Sequence, residues 1–200
     1  MEEYCLSGSQ QKALQVGFLT FFLSISISIL FQITQATTVY WVSALVLSAV
    51  ILLGILFDII GTATTAASEK PFHAMASDRV FGAKKAIELV RNADQVASFC
   101  NDVIGDICGT VSGSLGAALV IDFVLNNNIA QLRDVFSITI VGLISAVTVG
   151  GKAAGKSFAI NKSHEIVLKV AFFLEKFEQI VNRKKNNGKN KKQRLKTNHK

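Results

Sequence analysis

The sequence predicts an all-α fold: a polytopic helical membrane protein with about four transmembrane helices, plus cytoplasmic amphipathic helices lying at the interface. Composition is the first reason. Half of the 200 residues are hydrophobic and only 18% are charged, with mean hydropathy +0.41, which is the balance of a membrane chain. The second reason is the recurrence of long apolar runs. The third is the segregation of basic residues into a few segments between and after those runs.

The flank 1–12, MEEYCLSGSQQK, is acidic rather than basic. The apolar run that follows, Ala13 to Gln35, is too long for a signal-peptide core, so it reads as a retained span. Val42 to Thr65, VSALVLSAVILLGILFDIIGTATT, contains one ionisable residue, Asp58. At 1.5 Å per residue such a run crosses the ~30 Å hydrocarbon core. Two more runs of this kind are Val96 to Leu125 and Val135 to Ala154. A chain of this length cannot supply a soluble core around several helices that are apolar on every side.

Lys and Arg asymmetry predicts the topology. Residues 68–95 contain Lys70, Arg79, Lys84, Lys85 and Arg91, and the C-terminal stretch is more basic still. The connections Gln35 to Tyr40 and Asn126 to Asp134 share one positive charge, Arg133. With an even number of spans, both termini and residues 68–95 are expected to be cytoplasmic, in the plasma membrane of the cell. Tyr40 and Trp41 then sit at the outer interface, which favours amphipathic aromatics.

Within 68–95, Phe72, Ala76, Val80, Ala83, Ile87 and Val90 recur at helical spacing, with Asp78, Lys84, Lys85, Glu88 and Arg91 between them. This is one amphipathic helix or two at the inner interface, with Pro71 suited to an early helical position. Ile166, Val170, Phe173, Phe177 and Ile180 repeat the pattern. Packing on a soluble partner is the other reading of these faces. The helical domain is thus expected over 13–182. Residues 183–200 hold nine of the 21 Lys and Arg residues and no acid. Such a tail is expected to be disordered and to bind anionic lipid headgroups; RNA is another polyanion it could meet, though nucleic acid is not the expected partner. Cys5, Cys100 and Cys108 are too scattered for a metal site, and the two in a span read as small packing residues.

Gly105, Gly109 and Gly113 share one face of the third apolar run, and Gly142, Ala146 and Gly150 share one face of the fourth. Small residues at this spacing permit close helix packing, either within the chain or across a homodimer. Asn101, Asp102 and Asp106 are the chemically distinctive group. An ionised carboxylate in hydrocarbon costs ~2.5–3.5 kcal/mol or more, so acids there call for compensation. Oxygen ligands suit hard cations such as Mg²⁺. The alternative is that these residues snorkel or cap near the cytoplasmic end. Asp58 is a separate candidate, and Asp122 lies near the outer end. Gly150 to Ser157, GGKAAGKS, matches the phosphate-loop pattern, but it follows an apolar span rather than a buried strand, so no nucleotide is expected. Lys152 and Lys156 are expected at the positive inner surface.

The order of these segments resembles the transmembrane domain of the cyclin M/CorC (CNNM-type) family of magnesium and cobalt transport proteins, over about 44–176. The family's S-G-S-E-[TA]-A motif resembles Ile60-Gly61-Thr62-Ala63-Thr64-Thr65, with Ala63 in place of the glutamate. Its N-P-[DE]-R resembles Asn92-Ala93-Asp94-Gln95. Its [LIV]-G-N resembles Ile104-Gly105-Asp106, with Asn101 as the match if the register slips. Its G-E-x-x-P-K-S resembles Gly151 to Ser157, with Lys152 for glutamate and Gly155 for proline. Where the family usually continues with paired cystathionine-β-synthase domains, this chain has its basic stretch. The resemblance implies a homodimeric membrane domain, not an enzyme, that binds or transports Mg²⁺ or Co²⁺. Asp106, Asn101, Asp102 and the Thr62 hydroxyl are its expected metal ligands. The alternative is a non-transporting membrane adaptor or regulatory subunit acting through its cytoplasmic helices and basic tail.

Overall fold

The computed structural model describes residues 14–29, 40–126 and 133–197. Every regular element among them is helical. The connections around 30–39 and 127–132, and the side chains of Asp122 and of residues beyond 180, lie outside the described residues, as does Cys5. Helix α1 is Leu14–Ile29. Helix α2 spans Tyr40–Ala66, α3 Glu69–Ser77, α4 Ala83–Arg91 and α5 Ala93–Ala97. A π-helical segment, Ser98–Ile104, leads without a break into α6, Gly105–Asn126. Helices α7, Arg133–Asn161, and α8, Ser163–Thr197, complete the order.

Three helical stretches are long and apolar enough to cross a membrane: Trp41–Ala66, Ala93–Ile121 and Asp134–Asn161. Each exceeds the ~20 residues that a bilayer requires. Helix α1 is described over 16 residues and falls short of that length. Three of the four expected spans are thus shown among the described residues, and the first apolar run is described only in part.

The spans alternate in direction, and glycines fix their register. A Cβ at Gly54 would lie 2.9 Å from Cys108 Cβ, and one at Gly61 would overlap the Asn101 side chain. As position rises along α2 it falls along its partner, so α2 and the π-helix/α6 unit are antiparallel. Gly151 lies against Ile55 and Gly155 against Ile59, which makes α7 parallel to α2. Close approach of this kind is how spans associate where the surrounding solvent is itself apolar. The expected glycine faces are only partly used. Gly109, Gly113, Gly142 and Gly150 have nothing within 4 Å of an added Cβ; it is Gly116 that meets Ile144.

Two cores follow. Leu47, Val50, Ile51, Val103, Ile107, Val111 and Leu115 fill the contact of α2 with α6. Ala63, Ala67, Phe72, Ala86, Ala159, Val167 and Ala171 gather the ends of α2 and α7 with α3, α4 and the start of α8. The amphipathic stretch 68–95 thus forms two main helices, packed at the end of the bundle where α8 begins. On α8 the buried residues are Ser163, Val167 and Ala171, while Phe173, Phe177 and Ile180 face outward. The predicted apolar face is therefore rotated relative to the core. Helix α8 continues through Thr197, so no break in secondary structure marks the 182/183 boundary.

Candidate ion site in the membrane bundle

Among the described residues, Asp58 is the acid that the fold buries. Its side chain is 5% exposed, and Oδ2 has no hydrogen-bond partner. It lies on α2 between Gly54 and Gly61, one helical turn from each, so it faces the same neighbour they do. The contacts of Gly54 with Cys108 and of Gly61 with Asn101 bracket it opposite Ile104 and Gly105. Asn101 has the second such atom: Oδ1 is buried without a partner. Gly61 permits this placement, because any side chain there would occupy the space of the Asn101 amide.

The π-helical segment that carries Asn101 has a physical consequence. One extra residue per turn widens the helix and turns Asn101 relative to α6, and such bulges recur at functional sites. The Gly105 N–H donates to the Cys100 carbonyl across this wider turn. Irregular backbone at membrane depth is tolerated where protein surrounds it or where it lines a cavity.

A groove of about 400 Å³ runs between α6 and α7 beside this centre. Asp106, Thr110, Ser145, Thr148 and Lys152 supply its polar lining, and Gly105, Gly109 and Gly113 its floor. Thr110 Oγ1 donates to the Asp106 and Ile107 carbonyls at 3.1 and 3.0 Å. Thr148 Oγ1 donates to the Ile144 carbonyl at 2.8 Å. With their protons committed to their own helices, these hydroxyls turn lone pairs outward. Those lone pairs and the Asp106 carboxylate are cation-attracting groups, and the Lys152 ammonium is the cation already among them.

The four residues expected as ligands are not brought into one cluster. Asn101 points inward toward α2, whereas Asp106 is exposed in the groove. Asp102 is exposed and accepts a hydrogen bond from Ser98 Oγ at 2.8 Å. Thr62 is half-buried beside Gly61. Among the described residues no group of three or more His, Cys, Asp or Glu side chains could hold a metal. Asp58 was legible as a lone acid in an apolar run, but its position opposite Asn101 depends on the register of two distant helices. Lys152 is half-buried and lines the groove.

The GGKAAGKS stretch lies wholly within α7. Gly151 and Gly155 serve its packing on Ile55 and Ile59. Its backbone amides are committed to a continuous helix, so the loop that would cradle a phosphate is not formed. No protein-family model matches the chain, and no curated protein matches it.

Proposed function

We propose that this chain is an integral membrane protein that binds a divalent cation, Mg²⁺ before Co²⁺, between its spans, as a step in its transport. The observation that carries the reading is the pair of buried oxygens without partners, Asp58 Oδ2 and Asn101 Oδ1, on facing helices. Burying such groups unpaired is costly, and a hard cation with a preference for oxygen is a natural partner for a carboxylate and an amide carbonyl. Asp106 and the groove hydroxyls would line the approach. Asp102 is satisfied locally by Ser98 and ranks last. In this reading α3, α4 and α8 lie on the cytoplasmic side of the plasma membrane, as their basic residues favour. Two copies would meet along the open glycine stripe of α6, and the basic residues of α8 would rest on anionic headgroups.

The test is metal-dependent stabilisation of the purified protein in detergent. Wild-type protein should melt higher with millimolar Mg²⁺ or Co²⁺. Asp58→Asn and Asn101→Ala should each lose that gain, while Asp102→Ala should keep it. No metal-dependent shift in the wild type or in a Lys152→Gln variant would defeat the reading. It would favour a non-transporting adaptor, which the outward Phe173, Phe177 and Ile180 of α8 would serve as a docking face.

A further inference from the structure

We infer that Lys152 is a tethered cation of this centre, whose ammonium competes with a divalent ion for the same oxygens. The inference rests on the cation-site reading above and adds a specificity element to it. Lys152 Nζ lies 3.3 Å from where a Cβ of Gly105 would be. Gly105 is buried, and the contacts at Gly54 and Gly61 set it level with Asp58. The ammonium therefore ends over the wall that Asp58 faces from α2. The same side chain lines the groove with Asp106. A lysine that only snorkels would run its stem toward the membrane surface and leave its charge in water. Here the stem crosses from α7 to a buried glycine on α6.

Lys152 closes on neither acid. The ion pairs among the described residues join Glu69 with His73 and Arg91, Lys85 with Glu88 and Glu178, and Lys162 with Glu165. Asp58, Asp106 and Lys152 are in none of them. The bundle thus brings one positive charge into the groove that Asp106 lines and to the α6 glycine level with Asp58, without an ion pair to either acid. A flexible four-carbon stem lets such a charge shift over several ångströms. At membrane depth it supplies the compensation that a lone acid needs. It also repels any second cation, strongly so where the dielectric is low. A divalent ion can bind only as the ammonium withdraws along the groove. In its resting state the centre is neutralised from within.

The experiment compares Mg²⁺ affinity of the full chain in detergent, by calorimetry and by melting shift, for the wild type, Lys152→Gln, Lys152→Met and Lys152→Arg. Removing the charge should tighten Mg²⁺ binding by about tenfold or more, and Lys152→Arg should show no such gain. In the Lys152→Gln background, Asp58→Asn should abolish the binding, which ties the gain to this centre. Two neutral variants guard against one that misfolds, and melting without metal reports which are folded. Equal Mg²⁺ affinity in the wild type and the neutral variants would overturn the inference and leave the cation reading standing. Absence of binding in all of them would overturn both, because the neutral variants offer the site at its most available.

Discussion

The bundle of α2, α6 and α7 and the layer formed by α3, α4 and the start of α8 are both helical, but they resolve polarity in opposite ways. In the layer, charges find partners at the surface. Arg91 bonds Glu69 at 3.1 Å, Gly82 N–H donates to Glu175 at 2.7 Å, and Lys85 bonds Glu88 at 2.8 Å. In the bundle, Asp58 and Asn101 keep buried oxygens without partners, and helices are held by backbone proximity. Exposed pairs of the first kind add little to stability. Unpaired groups of the second kind subtract from it. The layer satisfies its charges locally, and the bundle carries a cost at one place, the unpartnered oxygens of Asp58 and Asn101.

The largest test of this contrast is at the glycines. Gly61→Leu places a side chain into the space of Asn101. We expect a loss of ~3 kcal/mol or more, read as failure to purify a folded protein or as a collapsed melting temperature. Gly109→Leu should leave the isolated fold intact, since nothing lies within 4 Å of its Cβ position. If that stripe joins two copies, Gly109→Leu changes only the detergent-solubilised size. Similar losses of fold for both variants would break the distinction between glycines that are packed and glycines that are open.

Asp58→Asn comes next, and its sign is the informative part. Without metal and in the Lys152→Gln background, where no tethered charge offsets it, removal of the buried carboxylate should raise the melting temperature, by an amount on the order of 1–3 kcal/mol in stability. The same change on the exposed Asp102 should do nothing measurable. With Lys152 present, Asp58→Asn should show no such gain or a lower melting temperature; the same rise in both backgrounds would show that Lys152 does not compensate the carboxylate.

Gly82→Ala tests the layer. Gly82 has φ +88°, and a Cβ there would lie 3.1 Å from Phe172 N on α8. The left-handed conformation alone costs a non-glycine residue ~1–2 kcal/mol. Helix α4 should then loosen from α8, exposing the turn at Arg79–Gly82 to protease while the spans stay folded. A protein that unfolds as a whole would show that the layer and the bundle form one cooperative unit.

What could be read from the sequence followed the strength of each local signal. The spans at α2, α6 and α7 were visible because apolar length needs no tertiary information. Helices α3 and α4 were visible from their spacing of three and four. The fourth expected span is not confirmed, because the described helix at the first apolar run covers only part of that run. The outward turn of Phe173 and Phe177 was hidden because a membrane face and a core face have the same composition. The glycine stripe was legible as a face but not by its partner: spacing places Gly109 and Gly113 together, and within this chain no atom lies within 4 Å of their Cβ positions. Asp58 opposite Asn101 needed the antiparallel register of α2, and the π-helical turn has no sequence signature that propensity reasoning detects.

The smallest expected effect concerns the best-formed surface pair. Glu69 is held below the usual carboxylate range, first by its hydrogen bond from Arg91 and then by that from His73. A folded pKa below the unfolded one gives stability that is fully present above the unfolded value. It is lost as pH falls through the folded one. The Glu69–Arg91 link between α3 and α4 should therefore be constant around neutral pH and weaken only below about pH 4, where carboxylates protonate. Because the carboxylate is in solvent, salt screens what remains. Glu69→Gln should leave the melting temperature at pH 7 within error and flatten its decline in acid. A clear destabilisation at pH 7 would show that α3 relies on this pair for docking, and that the layer is held by its charges rather than by Phe72 and the alanines beneath it.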